Sequence, residues 1–368
     1  MLTASGQSTQ SPPVFRARAN YVEIDAVVTD SRGRVVRGLT REDFTVSEDG
    51  TPQRIETFSF VDIPMPASRG APPPAAAIVA EPAAPAPSRV FLIVLDTLHV
   101  DATRTPMLRR RAREFVEQHV GARDRVAVAH VGYPQHNREF TTDKATVLAS
   151  IDQLIGEKTE SSAVAVANAD HGLGAAGRSD DSSARVRRRM VTDTVFALQE
   201  LSRAFATLPD RRKALVLFSE GLDVDMSADL DLLEEVRDLF AVAARANVAI
   251  YTVDPRGIAT IGDDLILIRG NRFTVPGQLG GARALQREVT VAQHSLRTLA
   301  DNTGGLAAVG SNNFTRAFDR IIADASTYYL LGYHSTNQAT DAKFRSLTVR
   351  VTKSGLDVRA RKGYVRAR

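Results

Sequence analysis

The sequence predicts an α/β protein with a doubly wound, mostly parallel sheet and a second, smaller β-sandwich-like domain formed by both ends of the chain. Between residues 89 and 325, apolar strands alternate with amphipathic helices, a pattern typical of a parallel sheet covered on both faces. Short alternating strands with glycine turns lie before and after this region. Because neither set of short strands could bury a core alone, we expect each set to complete the other.

The first short strands fall within residues 20–62, after a tail of residues 1–19 that we expect to be disordered. Tyr21–Val28 largely alternates between apolar and polar residues, and Ile55–Phe60 alternates again. Residues 63–88 hold half of the 16 prolines of the chain, mixed with alanine. This composition cannot bury enough apolar surface to offset its ordering entropy, so we expect an extended linker.

Residues 89–325 carry the predicted α/β domain. Its predicted elements are strand Val90–Leu95, helix Pro106–Val120, strand Val126–Val131, helix Asp143–Ile155, helix Val191–Leu208, strand Ala214–Phe218, helix Leu230–Ala246, strand Val248–Val253, helix Gln293–Asn302, strand Leu306–Val309 and helix Phe314–Asp324. Residues 157–185 and 258–284 interrupt this series and exceed ordinary loop lengths. They are either functional excursions or partly disordered.

The last residues, 326–368, return to short alternating strands. We predict strands at Tyr328–His334, Phe344–Thr352 and Leu356–Arg361. Pairing these strands with residues 20–62 would cover the free edges of both sets. The sequence therefore predicts a β-sandwich-like domain assembled from the two ends of the chain.

Composition narrows the class of protein. The formal net charge is +4, and there is no cysteine, which excludes disulfides, thiolate metal sites and cysteine nucleophiles. The arginine clusters lack interleaved aromatic residues, so we expect no nucleic acid partner. No apolar stretch approaches the roughly 20 residues that a membrane span needs. We expect a secreted or periplasmic protein whose signal peptide has been removed.

Five groups of residues stand in a fixed order along the chain. They are Asp25–Gly33 with Leu39–Phe44 and Glu48–Gly50, Leu208–Lys213 leading into Phe218–Gly221, Ile250–Gly257, Tyr328–Tyr333, and Arg361–Tyr364. This series resembles the VWFA-related Acidobacterial domain proteins, which contain a von Willebrand factor type A-like domain. The resemblance covers nearly the whole chain outside the linker and the two interruptions, and it implies an A-type α/β domain.

The resemblance also implies the place of a metal-ion-dependent adhesion site. Such a site uses Asp-x-Ser-x-Ser after the first strand, with a Thr and an Asp from later loops, because Mg²⁺ prefers octahedral oxygen ligands. Here Asp96 follows the strand, but the two serine positions fall on Leu98 and Val100. The threonine matches Thr194, and the later aspartate falls on Glu220. We therefore expect a degenerate metal site, no required cofactor, and at most weak Mg²⁺ binding.

A second run resembles the same motif a few residues later. Asp101–Thr105 fits Asp-x-Thr-x-Thr, but it lies where the chain approaches a helix, and Asp and Thr are favoured there as caps. We favour the capping interpretation. A shifted metal site made from Asp96, Asp101 and Glu220 is the alternative.

Four polar residues near the carboxyl ends of the strands form a candidate partner-binding rim: His99, Asp101, Asp254 and Arg256. The alternative for Asp254 is a structural one. In the Asp-Pro-Arg-Gly run, its side chain would cap its own turn. The sequence leaves both interpretations open.

Patterns that would indicate an enzyme or a zinc site are weak. His99, His130 and His136 lack the helical spacing of zinc ligands. Ser219 follows a strand but lacks the Gly-x-Ser-x-Gly turn of a nucleophile elbow and an assignable base. We therefore expect a non-enzymatic protein-binding or adhesion module with a protein partner. The alternative is a structural component of a cell-envelope or secretion assembly, and a hydrolase is the least favoured hypothesis.

Overall fold

The computed structural model describes the main parts of both predicted domains. The described residues are 20–64, 88–159, 179–208, 212–226, 229–258, 279–337, 339, 341 and 343–365. The predicted tail, most of the predicted linker and the middle of both predicted interruptions lie outside these residues.

Strands and helices follow one another throughout the described residues. The strands are β1 (Tyr21–Asp30), β2 (Phe44–Glu48), β3 (Thr51–Gln53), β4 (Thr57–Asp62), β5 (Val90–Asp96), β6 (Arg125–Val131), β7 (Arg138–Thr141), β8 (Lys213–Phe218), β9 (Val248–Val253), β10 (Ala307–Ala308), β11 (Thr327–His334), β12 (Phe344–Val351), β13 (Leu356–Arg359) and β14 (Gly363–Val365). The helices are α1 (Thr105–His119), α2 (Lys144–Ile151), α3 (Ser179–Ala206), α4 (Leu230–Arg245), α5 (Leu279–Thr303) and α6 (Phe314–Ser326).

A six-stranded sheet forms the centre of the molecule, in the order β10-β9-β8-β5-β6-β7. All neighbouring strands are parallel except β7, which runs antiparallel to β6. Strands β8 and β9 are buried along their whole length, as continuous apolar runs require in a sheet covered on both faces. The predicted α/β class with a mostly parallel sheet is confirmed.

Helices cover both faces of this sheet and complete two hydrophobic cores. Helices α1, α2 and α6 pack on one face, and α3, α4 and α5 pack on the other. Each helix turns an apolar stripe toward the strands, which follows from its roughly 3.6-residue periodicity. No helix in the described parts of the chain combines the length and apolarity that crossing a membrane would require.

Two antiparallel four-stranded sheets accompany the parallel sheet, in the orders β13-β1-β11-β4 and β14-β12-β2-β3. Both sheets contain strands from before and after the α/β region. In the first, Tyr21 of β1 lies opposite His334 of β11, and in the second, Val46 of β2 lies opposite Val349 of β12. Their facing side chains form a third core that includes buried Ile24.

Buried charged groups attach the C-terminal strands to the rest of the molecule. Arg359 of β13 forms a two-pronged ion pair with Asp324 of α6. The guanidinium of Arg361 donates to the backbone carbonyl of Glu23 at 2.6 Å. Burial raises the pKa of the Asp25 carboxyl on β1, although Arg212 and Arg361 oppose that shift. The two ends of the chain are therefore fixed to each other and to the helical layer.

Three features differ from the sequence prediction. Helix α3 begins at Ser179 instead of Val191, and α5 begins at Leu279 instead of Gln293, so both extend into the predicted interruptions. In α3 the described side chains before Val191 are exposed or half-buried and form no apolar stripe. In α5, by contrast, Leu285, Val289 and Ala292 before the predicted start are buried, so the prediction missed a part of the helix that does pack. The short antiparallel strand β7 was not predicted, since Arg138–Thr141 has only one large apolar residue.

Candidate functional site

The predicted site residues gather at the carboxyl ends of three central strands. Asp96 is the last residue of β5, Glu220 follows β8, and Asp254 follows β9. Thr194 reaches the same region from α3. All four side chains are fully buried. The carboxyl ends of parallel strands share one edge of the sheet, so residues distant in sequence converge there.

Asp96 and His99 form the first half of the site. Each carboxylate oxygen of Asp96 lies 3.1 Å from His99 Nδ1, and the His99 backbone N–H donates to Oδ1 at 3.2 Å. The Ser219 hydroxyl donates to Oδ2 at 2.7 Å. Burial raises the pKa of the Asp96 carboxyl, but the charge of His99 and these hydrogen bonds lower it more, so that the pKa lies below its usual range.

Thr194 joins this group through the imidazole. Its Oγ1 lies 3.3 Å from His99 Nδ1, so the structure brings Asp96, His99 and Thr194 together. The imidazole therefore lies between the threonine and the aspartate that the resemblance assigns to a metal. All these contacts are made by Nδ1, whereas the buried Nε2 of His99 has no hydrogen-bond partner among the described residues.

Glu220 forms the second half of the site and is surrounded by cationic side chains. Arg104 Nη1 lies 2.7 Å from Glu220 Oε2, Arg256 Nη1 lies 3.9 Å away, and Lys158 Nζ lies 4.0 Å away. The backbone N–H of Asp101 donates to Oε1 at 3.2 Å. A fully buried carboxylate needs such charged partners because desolvation disfavours an isolated charge.

The structure shows how the four polar residues of the predicted rim are paired and buried. Asp254 and Arg256 pair with each other through two hydrogen bonds of 2.8 Å, and Arg256 also donates to the Glu220 carbonyl at 2.5 Å. His99 is buried as well. Asp101 and Arg256 are half-buried residues, and the Arg256 side chain itself is only 6% exposed. The structural alternative for Asp254 describes the geometry better, since the Arg256 backbone N–H also donates to its carboxylate.

Asp101 has the capping role that its position indicated. Its Oδ1 accepts from the backbone N–H of Thr103 at 2.8 Å, which caps a short 3₁₀ turn before α1. Leu98 and Val100, at the two serine positions, pack into the hydrophobic cores on either side of the sheet. The shifted set of Asp96, Asp101 and Glu220 does not converge, because Asp101 contacts Glu220 through its backbone and not through its carboxylate.

The residues as arranged do not fit a divalent cation. Both oxygens of Asp96 face His99, and Oε2 of Glu220 faces three cationic groups, so a metal ion shared by the two carboxylates would have to displace these contacts and would be repelled by the cations. Among the described residues, no group of three or more His, Asp or Glu side chains could hold a metal ion. Arg104, Lys158 and Arg256 supply positive charge where a metal site would have its ion.

Sequence reasoning missed Arg104 and Lys158 as parts of this site. Arg104 lies inside the Asp101–Thr105 run, at one of the positions that the Asp-x-Thr-x-Thr pattern leaves unspecified. Lys158 lies at the start of a predicted interruption and reaches Glu220 because the backbone there is hydrogen-bonded beside β5, with the N–H of Glu157 donating to the Thr97 carbonyl at 2.7 Å. No local sequence pattern marks these two contacts, because both cations lie far from Glu220 along the chain.

His130 in strand β6 and His136 in the turn that follows it pack against each other and against neighbouring residues. His130 is the penultimate residue of the buried strand β6, and its Nε2 lies 3.2 Å from the Ser150 hydroxyl. Burial, helped by the nearby charges of His136 and Arg138, lowers the pKa of His130 to about 4. His130 and His136 meet edge to face, with ring centroids 5.5 Å apart. A neutral, packed imidazole explains His130 without a ligand.

Two comparisons with known proteins were made. A scan against models of protein families and a search of the curated proteins each found no match for this chain.

Proposed function

We propose that this chain is a non-enzymatic, protein-binding module with a von Willebrand factor A-like domain whose adhesion site works without a divalent metal. The mostly parallel sheet, with Asp96 at the end of its central strand β5, supports the A-like assignment. The ordered motifs that resemble the VWFA-related Acidobacterial domain proteins support it independently. The proposal includes a secreted or periplasmic location, which rests on that resemblance.

One observation carries the proposal: both carboxylates at the place of the metal site are already engaged by side chains of the protein itself. Arg104 lies 2.7 Å from Glu220, and His99 lies 3.1 Å from both oxygens of Asp96. A bound metal ion would compete with these groups for the same lone pairs. The protein groups need no binding from solution, so the charge balance of the site is independent of metal concentration.

The geometry of Ser219 supports a non-enzymatic role. The side chain is fully buried, and its hydroxyl donates to Asp96 while accepting from the backbone N–H of Gly221 at 2.9 Å. A nucleophile must reach its substrate and be activated by a base. Ser219 instead donates a hydrogen bond to the Asp96 carboxylate and accepts one from Gly221, and these two bonds hold the turn after β8 in place.

Recovery of partners with and without metal tests this function. The immobilised chain is incubated with envelope extract in Mg²⁺ and in EDTA, and the bound proteins are compared by mass spectrometry. We expect a specific partner that is recovered equally in both conditions and is reduced by Asp101→Arg at the partly exposed edge. A partner that is lost in EDTA would contradict the proposal.

The second candidate is a structural component of an envelope or secretion assembly. Two antiparallel sheets built from both ends of the chain favour it, because their edge strands β3 and β4 can pair with other strands. Cross-linking of the recovered partner distinguishes the two functions. Contacts near Asp101 support the binding module, whereas contacts confined to residues 51–62 support the scaffold.

A further inference from the structure

Helices α3, α4 and α5 form a layer with large apolar side chains on its outer surface. Val186 and Phe196 on α3 are 45% and 59% exposed, and Leu230 at the start of α4 is 79% exposed. Scattered single apolar residues are normal on a protein surface, but a group on one face marks an interaction site. This face therefore differs from an ordinary solvated helix layer.

A groove of about 1210 Å³ runs along the same layer between α4 and α5. Met226, Leu233 and Val291 contribute apolar lining, and Phe344, which is 42% exposed, lies at the end near β14. The lining extends from Leu230 at the start of α4 to Phe240, ten residues later. At about 1.5 Å of rise per residue this is roughly 15 Å, the length of nearly three helical turns.

Among the charges of this layer are a basic pair on α3 and an acidic pair on α4, while Arg237 and Lys343 also line the groove. Arg185 and Arg189 lie one helical turn apart on the exposed surface of α3. Glu234 and Asp238 lie one turn apart on the exposed surface of α4, and both line the groove. Neither carboxylate pairs with a cation among the described residues. Arg189 pairs with Asp193 on its own helix, and an exposed pair of this kind is weak enough to be shared with another partner.

The size of the layer is adequate for a stable interface. A helix of 16 residues such as α4 is about 24 Å long, and three helices spaced about 10 Å apart cover roughly 700 Å². Standard interfaces bury about 800 Å² on each partner. The area is therefore close to what a specific dimer needs.

We propose that this face is the interface of a homodimer, in which α3 of one copy lies in the α4–α5 groove of the other. One surface carries both the basic and the acidic pair. In a two-fold dimer the basic pair of each copy meets the acidic pair of the other, so the same contact forms twice. Phe196 and Val186 fill the groove, while Arg185 and Arg189 face Glu234 and Asp238. A different protein would need to supply a matching helix, whereas a second copy already has one.

Sedimentation equilibrium of the full chain tests the dimer. We expect a species of twice the 39.9 kDa chain mass at high concentration that dissociates on dilution. Phe196→Asp and Leu230→Asp should each weaken association roughly tenfold or more, because apolar anchors at the centre of an interface carry most of its affinity. Both side chains are largely exposed, so circular dichroism should show an unchanged fold.

Two further variants separate a specific interface from general stickiness. Ile155→Asp is the matched control, since Ile155 is 58% exposed and follows α2 on the opposite side of the sheet; its association should equal that of the wild type. Arg189→Glu should weaken the dimer, and adding Glu234→Arg in the same chain should restore it. A wild type that is monomeric at every concentration overturns the proposal. So does a dimer that Phe196→Asp and Leu230→Asp leave unchanged.

Discussion

Arg104 shows how a single side chain determines the character of the site. It comes from the short turn before α1 and reaches the buried Glu220 at 2.7 Å, closer than either of the other two cations. A buried carboxylate without its nearest cation retains its desolvation cost. The stability of this edge of the sheet therefore depends on an arginine that no metal-site motif contains.

Replacing Arg104 by methionine keeps the length of the side chain and removes its charge. We expect the free energy of unfolding to fall by about 2 kcal/mol, less than for a completely unpaired buried charge, because Arg256 and Lys158 remain nearby. Urea unfolding followed by circular dichroism measures the loss. Arg104→Met combined with Glu220→Gln should recover most of it, since the double variant has no charge left without its partner.

The exposed Arg110 on α1 provides the control for this prediction. Arg110→Met removes the same charge from the solvated surface of a neighbouring segment, and its effect should stay within about 0.5 kcal/mol. If Arg104→Met is as stable as the wild type, then Glu220 does not depend on its protein cations.

For single residues, the sequence predicts the place of a residue in its strand better than the side chains that it contacts. Asp96 was placed correctly at the end of its strand, because a continuous apolar run followed by an acidic residue defines that edge. Its contact with His99 was not predicted, since it depends on how the chain turns back over three residues. The Glu220 cluster depends on Lys158, more than sixty residues away, and no local pattern records such a contact.

Strand β11 is the element that connects the two ends of the chain. It follows α6 without a loop and pairs with β1 on one side and β4 on the other. Gly332 lies in its middle, where Tyr21 and Thr57 from the two neighbouring strands hydrogen-bond to each other at 2.5 Å. A side chain at Gly332 would overlap both hydroxyls.

Gly332→Ala should therefore destabilise the protein by about 1–2 kcal/mol, because the added methyl forces Tyr21 and Thr57 apart. Thermal unfolding of the full chain measures the cost. In a Tyr21→Ala background the same substitution should cost less, since one of the two overlapping groups is gone. An equal cost in both backgrounds would mean that the clash with Tyr21 is not the cause.

The extent of the helices shows where periodicity stops being informative. Residues 191–208 were predicted as helix from their apolar spacing, and the structure extends this helix back to Ser179. In the described part of the added turns, residues 184–190, the side chains are exposed or half-buried and four of the seven are arginines, so no apolar stripe marks them. The β10 strand, in contrast, is only Ala307–Ala308, shorter than predicted, because the sheet ends there.

At the scale of the whole molecule, charge is balanced within the fold at both ends of the parallel sheet. At the carboxyl ends of the strands, protein cations surround Glu220. At the opposite end, Arg212 donates to the Gly304 carbonyl at 2.6 Å, and Arg359 pairs with Asp324. Under the proposed function, these protein cations make the site independent of metal ions in solution, and that independence is its central claim.

Titration of the wild-type chain with Mn²⁺, followed by electron paramagnetic resonance of the free ion, tests this claim most directly. Because His99 and Arg104 already occupy the lone pairs of Asp96 and Glu220, we expect no saturable binding at millimolar metal and no change in melting temperature between Mn²⁺ and EDTA. Binding at a dissociation constant of ~10 μM would add about 2.7 kcal/mol of stability at about 1 mM metal, a shift that is easily detected. Stoichiometric binding that disappears in Asp96→Ala would contradict the account.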